Sequence, residues 1–249
     1  MPTVARINVT PVKALGLQHP AEVELTLRGV PENRRFYLVE EGGALFNGIR
    51  HGPLVRIRPE LDGDVLTLAL PDGTTVSGEI EPDARVETDF YGRPVHGRRV
   101  HGFDETLSGY AGRAVWLVRS DNPGDASDVH VATVLSRASC ERLGEELDAE
   151  IDPRRFRMLF ELDGCDAHEE DGWSGRLVRF GDAVLRIGGP VPRCAITTQD
   201  PDTGIRSLDT LRGIKSYRGL RDGRAIDFGV YAEVERPGRV RVGDAVTVL

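Results

Sequence analysis

Apolar and polar positions alternate with a period of two through most of the first hundred residues. "ARINVT" (5–10), "AEVELTL" (21–27), "RFYLVE" (35–40), "LVRIRP" (54–59), "VLTLAL" (65–70) and "TTVSGEI" (74–80) alternate or cluster β-formers. Turn signals separate them at Gly42-Gly43, Asp62-Gly63 and Pro71-Asp72-Gly73. Short strands at this spacing predict a small barrel or sandwich. The period changes near Asp104. "DETLSGYAG" sets Leu107, Tyr110 and Ala111 at i, i+3 and i+4, between an N-cap at Asp104 and a stop at Gly112, which predicts a helix. "AVWLVRS" and "VHVATVL" predict strands, with a polar, Gly/Pro-bearing surface loop from Asn122 to Asp128 between them. Ser136 is expected to cap a second helix ending near Leu147. Cys140, Leu143 and Leu147 fall on one face of it, so Cys140 reads as a small buried apolar residue.

The C-terminal part contains a near-repeat. "VRFGDAVLRI" (178–187) resembles "VRVGDAVTVL" (240–249), and each reads as strand, Gly-Asp turn, strand. Two such hairpins suggest a second β-barrel-like unit. A short helix is expected from Ser207 to Lys215, with Leu208, Leu211 and Ile214 inward, and "DFGVYAEVE" is a late strand. The pattern predicts a mainly β chain with a few helices, a β-rich α+β fold. Its two units span residues 1–100 and 101–249, joined after "GRRVHG".

Composition narrows the function. The chain has 249 residues and a net charge of −8, with no basic stripe, which argues against a nucleic-acid binder. No apolar run reaches the length of about 18 residues that a spanning helix requires. The N-terminus lacks a signal-peptide layout, so a cytoplasmic protein is expected. Lys13 and Lys215 are the only lysines among 32 basic residues, which first reflects an arginine-favouring, GC-rich genome. The three cysteines, Cys140, Cys165 and Cys194, are widely spaced and form no C-x-x-C. That argues against a disulfide framework, a structural zinc site or a built-in iron–sulfur cluster.

One stretch carries chemistry: "PRCAITTQDPDTG" (192–204). A thiol there follows Arg193, a cation that favours the thiolate. Thr197 and Thr198 add hydroxyls, and Asp200 opens a turn with free N–H groups. Thiolate, cation and donors suit a soft metal ligand or a nucleophile. Asp200 and Asp202 serve equally as turn residues. Cys165, in "DGCDAHEED", reads as an exposed spare thiol, and His51, His96 and His101 as exposed loop residues. His130 reads equally as a core-facing strand residue or a site residue.

The same stretch resembles the cysteine motif of the MOSC domain, the molybdenum cofactor sulfurase C-terminal domain, in the form found in the amidoxime-reducing proteins and their bacterial relatives. The resemblance is colinear over nearly the whole chain. "TPVKALG" (10–16) resembles the family's Tyr-Pro-Val-Lys-Ser, and "NRRFYLVEEGG" (33–43) its Asp-Arg-x-Trp-x-Leu-Val strand. "RFRMLFELDG" (155–164) stands at Asn-Phe-Arg-Pro-Asn, and "EEDGWSG" (169–175) at Glu-Asp-Ser-Trp. "DTLRGIKSYR" and "FGVYAEVERPGRVRVGDAV" resemble the terminal segments.

The resemblance implies an N-terminal MOSC-type β-barrel packed on a MOSC domain, and a bound molybdenum cofactor (Mo-molybdopterin). It implies reduction of N-hydroxylated or N-oxide substrates by oxygen-atom abstraction at a Cys-ligated molybdenum. It also implies a separate electron donor: a flavoprotein or a small haem or iron–sulfur carrier. By the same resemblance Cys194 is the metal ligand and catalytic residue, and Lys13, Arg34, Arg157 and Tyr231 are cofactor-binding; Arg193 and Thr197, the cation and hydroxyl beside the cysteine, are expected to bind the cofactor with them. Alternatives for the same cysteine are a persulfide sulfur carrier and a non-enzymatic cofactor carrier. An association with pyridoxal phosphate binding also attaches to the domain. The chain departs from the family at Ala14 (for Ser), Asn33 (for Asp), Met158-Leu159 (for Pro-Asn) and His130-Val131 (for Ser/Thr-Pro). These changes alter the groups that surround the metal ligand.

Overall fold

In the computed structural model, which describes residues 1–128 and 130–249, alternation becomes strand wherever one face has a core to meet. The first half supplies β1 (Thr3–Ile7), β2 (Glu22–Leu25), β3 (Phe36–Glu40), β4 (Leu45–Phe46), β5 (Arg58–Asp62), β6 (Val65–Ala69), β7 (Thr75–Glu79), β8 (Pro82–Asp89) and β9 (Pro94–Val100). Then come α1 (Asp104–Ala111), β10 (Val115–Ser120), β11 (Ala132–Ser136), α2 (Arg137–Leu147), β12 (Phe160–Asp163), β13 (Leu177–Phe180) and β14 (Ala183–Pro192). The chain closes with α3 (Thr210–Arg218), β15 (Asp227–Arg236), β16 (Gly238–Arg241) and β17 (Val246–Val248).

The first unit holds a five-stranded sheet, β4-β3-β10-β9-β8, and a three-stranded sheet, β5-β6-β7. Phe36, Leu38, Leu66, Leu68, Val100, Phe103 and Leu117 fill its core. The second unit is a seven-stranded sheet, β1-β12-β11-β15-β14-β13-β17, with Ile7, Val134, Phe160, Leu185 and Ala232 in its core. The units exchange strands. β10, which follows the expected join, pairs with β3 and β9, while β1 pairs with β12 of the second unit. α2 and α3 pack together and bury Cys140, Leu143, Phe156, Ile214 and Phe228 in a further cluster.

Several expectations shift. "LVRIRP" is a 3-10 turn over Gly52–Arg56, and a strand begins only at Arg58. Pro53 at the turn's start and the inward Leu54 and Val55 favour the curl. Asp104 is the first residue of α1, capped by Phe103 without a side-chain bond, although Gly112 does stop the helix in the left-handed region. Ser136 caps α2 as expected, accepting from Ser139 N. The expected helix 207–215 starts later, after an Asp209 cap that accepts from Arg212 N.

The near-repeat is one hairpin, not two. β13 and β14 pair with each other, whereas β16 pairs with β2 and β17 with β13, so similar sequences meet different neighbours. His96 lies in β9 as an exposed strand residue, and His51 is half-buried beside Phe46 and Tyr110. Cys165 is half-buried against the core of the large sheet, and burial pushes its thiol up to about 12. Val129, at the start of the expected strand 129–135, lies outside the described residues.

Candidate active site at the join of the two units

A cavity of about 540 Å³ opens between the units. The first unit contributes Lys13, Ala14, Arg34, Asn47 and Tyr91; the second contributes Arg157, Met158, Arg193, Cys194 and Tyr231. Its wall is unusual in backbone as well as in charge. Among the described residues, seven non-glycine positions have φ in the left-handed region, and four of them, Ala14 (74°), Arg34 (55°), Tyr91 (56°) and Arg157 (52°), line this cavity. Such conformations cost energy and persist where neighbouring contacts fix them.

Those contacts are visible at the cations. Lys13 follows Val12, which is buried in the first core, and its N–H donates to Phe36 O at 2.7 Å. Its buried ammonium donates to Asp128 Oδ1 at 2.7 Å and to Ala126 O at 3.1 Å. Burial drives that ammonium down to about 8, with Asp128 opposing the fall and Arg34 adding to it. Arg34 stands 3.6 Å from Asp128 Oδ2 and donates to Arg157 O at 2.9 Å. Arg157 reaches back across the join to Leu15 O at 2.7 Å. Desolvation first, then Arg34, pushes the Arg157 guanidinium down to about 9, still charged near neutral pH. The half-exposed Asp128 carboxyl is held below its usual range: desolvation opposes this, and Lys13 and Arg34 outweigh it.

Cys194 is exposed at the cavity, two residues past the end of β14 and directly before a 3-10 turn at Ala195–Thr198. Arg193 turns inward. It donates to Phe156 O at 2.6 Å and Met158 Sδ at 3.3 Å, and lies over the Phe156 ring. Burial pushes its guanidinium down to about 10, with the neighbouring Cys194 opposing, and its Nε is buried without a partner. Tyr231 on β15 stacks on His130, with ring centroids 3.6 Å apart and planes within 2°. Gly188 leaves that ring its room, since a Cβ there would fall 1.9 Å from Tyr231 Cε2.

Six of the seven residues expected at the site line this cavity: Cys194, Lys13, Arg34, Arg157, Arg193 and Tyr231. Thr197 does not. It is fully buried behind the cysteine, where its Oγ1 donates to Cys194 O at 3.1 Å and meets Thr210 Oγ1 at 2.8 Å. The turn N–H groups of Asp202 and Thr203 are spent on Asp200 Oδ1. Asp202 itself pairs with Arg154. Asn33 accepts from Thr10 N at 3.0 Å and so orders the strand-to-loop path toward Lys13. Of the Met158-Leu159 departure only Met158 lines the cavity, while Leu159 joins the large core.

Sequence reasoning missed Asp128, Tyr91 and Asn47. Asp128 ends the loop read as polar surface, yet Ala126 and Ser127 beside it are buried. Nothing local marks that carboxylate; the signal was the shortage of any nearby anion to hold Lys13 and Arg34.

Two β units meeting at an exposed thiol, with four cations against one cavity carboxylate apart from the paired Arg221, define a class of anion-binding, thiol-centred site. Residues 121–247 match the MOSC domain and residues 1–109 the MOSC N-terminal beta barrel domain. The chain belongs to the MOSC family, with the N-terminal beta barrel domain ahead of its MOSC domain. Human mitochondrial amidoxime-reducing component 1 is 29% identical over 99% of this chain and 83% of its own length. The mouse protein of that name is 30% identical over 99% and 82%. Human mitochondrial amidoxime reducing component 2 is 28% identical over 98% and 82%. Among solved structures, the YUAD protein from Bacillus subtilis aligns over 99% of this chain and 94% of its own, with 12% identity and a TM-score of 0.47. The association with pyridoxal phosphate finds no support in these matches.

Proposed function

We propose that the chain is a molybdenum-cofactor-dependent reductase of N-hydroxylated or N-oxide compounds, working with a separate electron-donor protein. The observation that carries this reading is the convergence of the exposed Cys194 thiol with Lys13, Arg34, Arg157 and Arg193 in one cavity at the join. The full-length similarity to amidoxime-reducing components supports it. The donor set fits such a group. A soft thiolate suits molybdenum, and the clustered cations suit the phosphate of a pterin cofactor. The unpartnered Nε of Arg193, the residue preceding Cys194, adds a buried donor. The cavity volume lies within the ordinary range of small-molecule sites. Three free cysteines suit a reducing compartment, in keeping with the expected cytoplasmic setting.

Cys194 would ligate the metal, and Lys13, Arg34 and Arg157 would hold the anionic end. When bound, the cofactor supplies two-electron abstraction of oxygen from an N–O bond. The net change is N–OH plus two electrons and two protons to N–H and water. The chain's residues position and exchange protons. Arg34 and Arg157 stitch the units together through main-chain oxygens while keeping their charge in the cavity. Lys13, its ammonium lowered to about 8 by burial, releases a proton to a bound ligand near neutral pH, while Asp128, held below its usual range, stays ionised and orients that ammonium. Tyr231 and His130 form a fixed flat wall.

A persulfide carrier would also use an exposed cysteine, but it has no use for four converging cations. The test is reduction of a model amidoxime by protein made in a cofactor-competent host, with a supplied electron donor. Cys194→Ser is expected to abolish turnover, because a hard hydroxyl replaces a soft thiolate, and Cys165→Ser is expected to keep it. A molybdenum-loaded wild type that reduces none of a panel of amidoximes, hydroxylamines and N-oxides overturns the reductase reading in favour of a carrier.

A further inference from the structure

The segment after the cysteine turn runs against the charge of the rest of the molecule. From Ile205 to Asp227 there are six cations, Arg206, Arg212, Lys215, Arg218, Arg221 and Arg224, and three carboxylates, Asp209, Asp222 and Asp227. That is +3 in a chain whose total is −8, so the remainder carries −11. Arg218 is paired with Asp171 at 2.7 Å and Arg221 with Asp227 at 2.6 Å. Arg206, Arg212, Lys215 and Arg224 are exposed and form no ion pair among the described residues. Arg212 and Lys215, three apart, share the outer side of α3, because Gly213 and Ile214 face α2. Two of the exposed large apolar side chains, Ile205 and Leu220, lie in the same segment.

This surface is continuous with the site. α3 packs on the turn that follows Cys194. Thr210, its first residue, is two hydrogen bonds from the Cys194 carbonyl through Thr197. Arg221 lines the cavity, and its bridge to Ala225 holds Arg224 in the turn between them.

We propose that α3 and the following 219–225 turn form the docking face for an acidic electron-carrier protein, an inference that rests on the reductase reading. Arg206, Arg212, Lys215 and Arg224 are exposed and do not line the cavity, so they suit a protein surface better than a small anion. The exposed Ile205 and Leu220 supply the apolar component of such an interface. The strongly negative remainder of the molecule repels an acidic carrier elsewhere and steers it here. Each turnover takes two electrons from the carrier, which is oxidised, and delivers them beside Cys194, with two protons from water completing the balance.

The experiment compares the cofactor-loaded wild type with the R212E/K215E/R224E triple variant. Electrons come either from reduced flavodoxin, an acidic flavoprotein, or from dithionite-reduced methyl viologen. At low salt the variant is expected to lose about tenfold or more in flavodoxin-driven kcat/KM, while the viologen-driven rate does not fall. The wild-type flavodoxin rate is expected to drop as salt rises. Equal flavodoxin-driven rates in the two proteins overturn the proposal. So does a wild type that takes electrons from viologen but none from flavodoxin. If viologen drives no reduction, the reductase reading fails instead. Calorimetric titration with oxidised flavodoxin then still tests the face: binding lost in the variant upholds it, and equal or absent binding overturns it.

Discussion

Lys13 is an ammonium held where burial favours its neutral form, at about 8 against an ordinary 10.5. Between those values the unfolded chain binds more protons than the folded one, so stability rises with pH across that window. In urea titrations, wild type is expected to gain stability from pH 8 to pH 10 relative to Lys13→Met, and equal slopes would remove Lys13 from the account. Binding of an anion needs the charged form, so pterin-phosphate affinity is expected to hold below about pH 8 and fall above it. Lys13→Met should flatten that profile. Arg157 makes a second test at the same scale. Arg157→Ala loses the bond to Leu15 O, a charged hydrogen bond whose removal costs roughly 1.5–3 kcal/mol. Arg157→Gly loses the same bond but relieves the left-handed backbone. It is expected to be more stable than the alanine variant by about 1 kcal/mol, and a more stable alanine variant would refute the strain.

Elements meet the site through close backbone approaches. Gly188 on β14 passes under Tyr231, and Gly52 of the first unit meets Gly204 of the second, where a Cβ would fall 2.1 Å from Gly204 O. Gly52→Ala must move backbone, and overpacking of that kind costs about 1–3 kcal/mol. Urea midpoints read it, and an unchanged midpoint would mean the two units are not tightly apposed there. Gly188→Ala is expected to break the Tyr231–His130 stack, seen as a changed tyrosine absorbance that is absent when the same substitution is made in a Tyr231→Phe background. None of these approaches was legible in the sequence, because a glycine's neighbour across the fold leaves no local mark. What was legible had local causes. Alternation gave most strands, Ser136 marked the start of α2, and Gly112 marked the end of α1. The "VRVGDAV" repeat misled because pairing partners, unlike turns, are chosen at long range. The site residues found early each sat in a motif, whereas Asp128 sat in none and was found only when its loop folded onto Lys13.

At the scale of the molecule, a chain of net −8 brings Lys13, Arg34, Arg157 and Arg193 together at the join of its two β units. The cavity exists only while both units are folded, since Lys13 and Arg34 come from one and Arg157 and Cys194 from the other. Loss of either unit is therefore expected to abolish anion binding outright. The most direct measurement is the molybdenum and pterin content per chain of protein purified from a cofactor-competent host. The account predicts close to one of each for wild type, a marked fall in pterin for the Arg34→Ala/Arg157→Ala double variant, and loss of molybdenum in Cys194→Ser with part of the pterin retained. Wild type carrying neither above background, or a double variant with undiminished pterin, would contradict it.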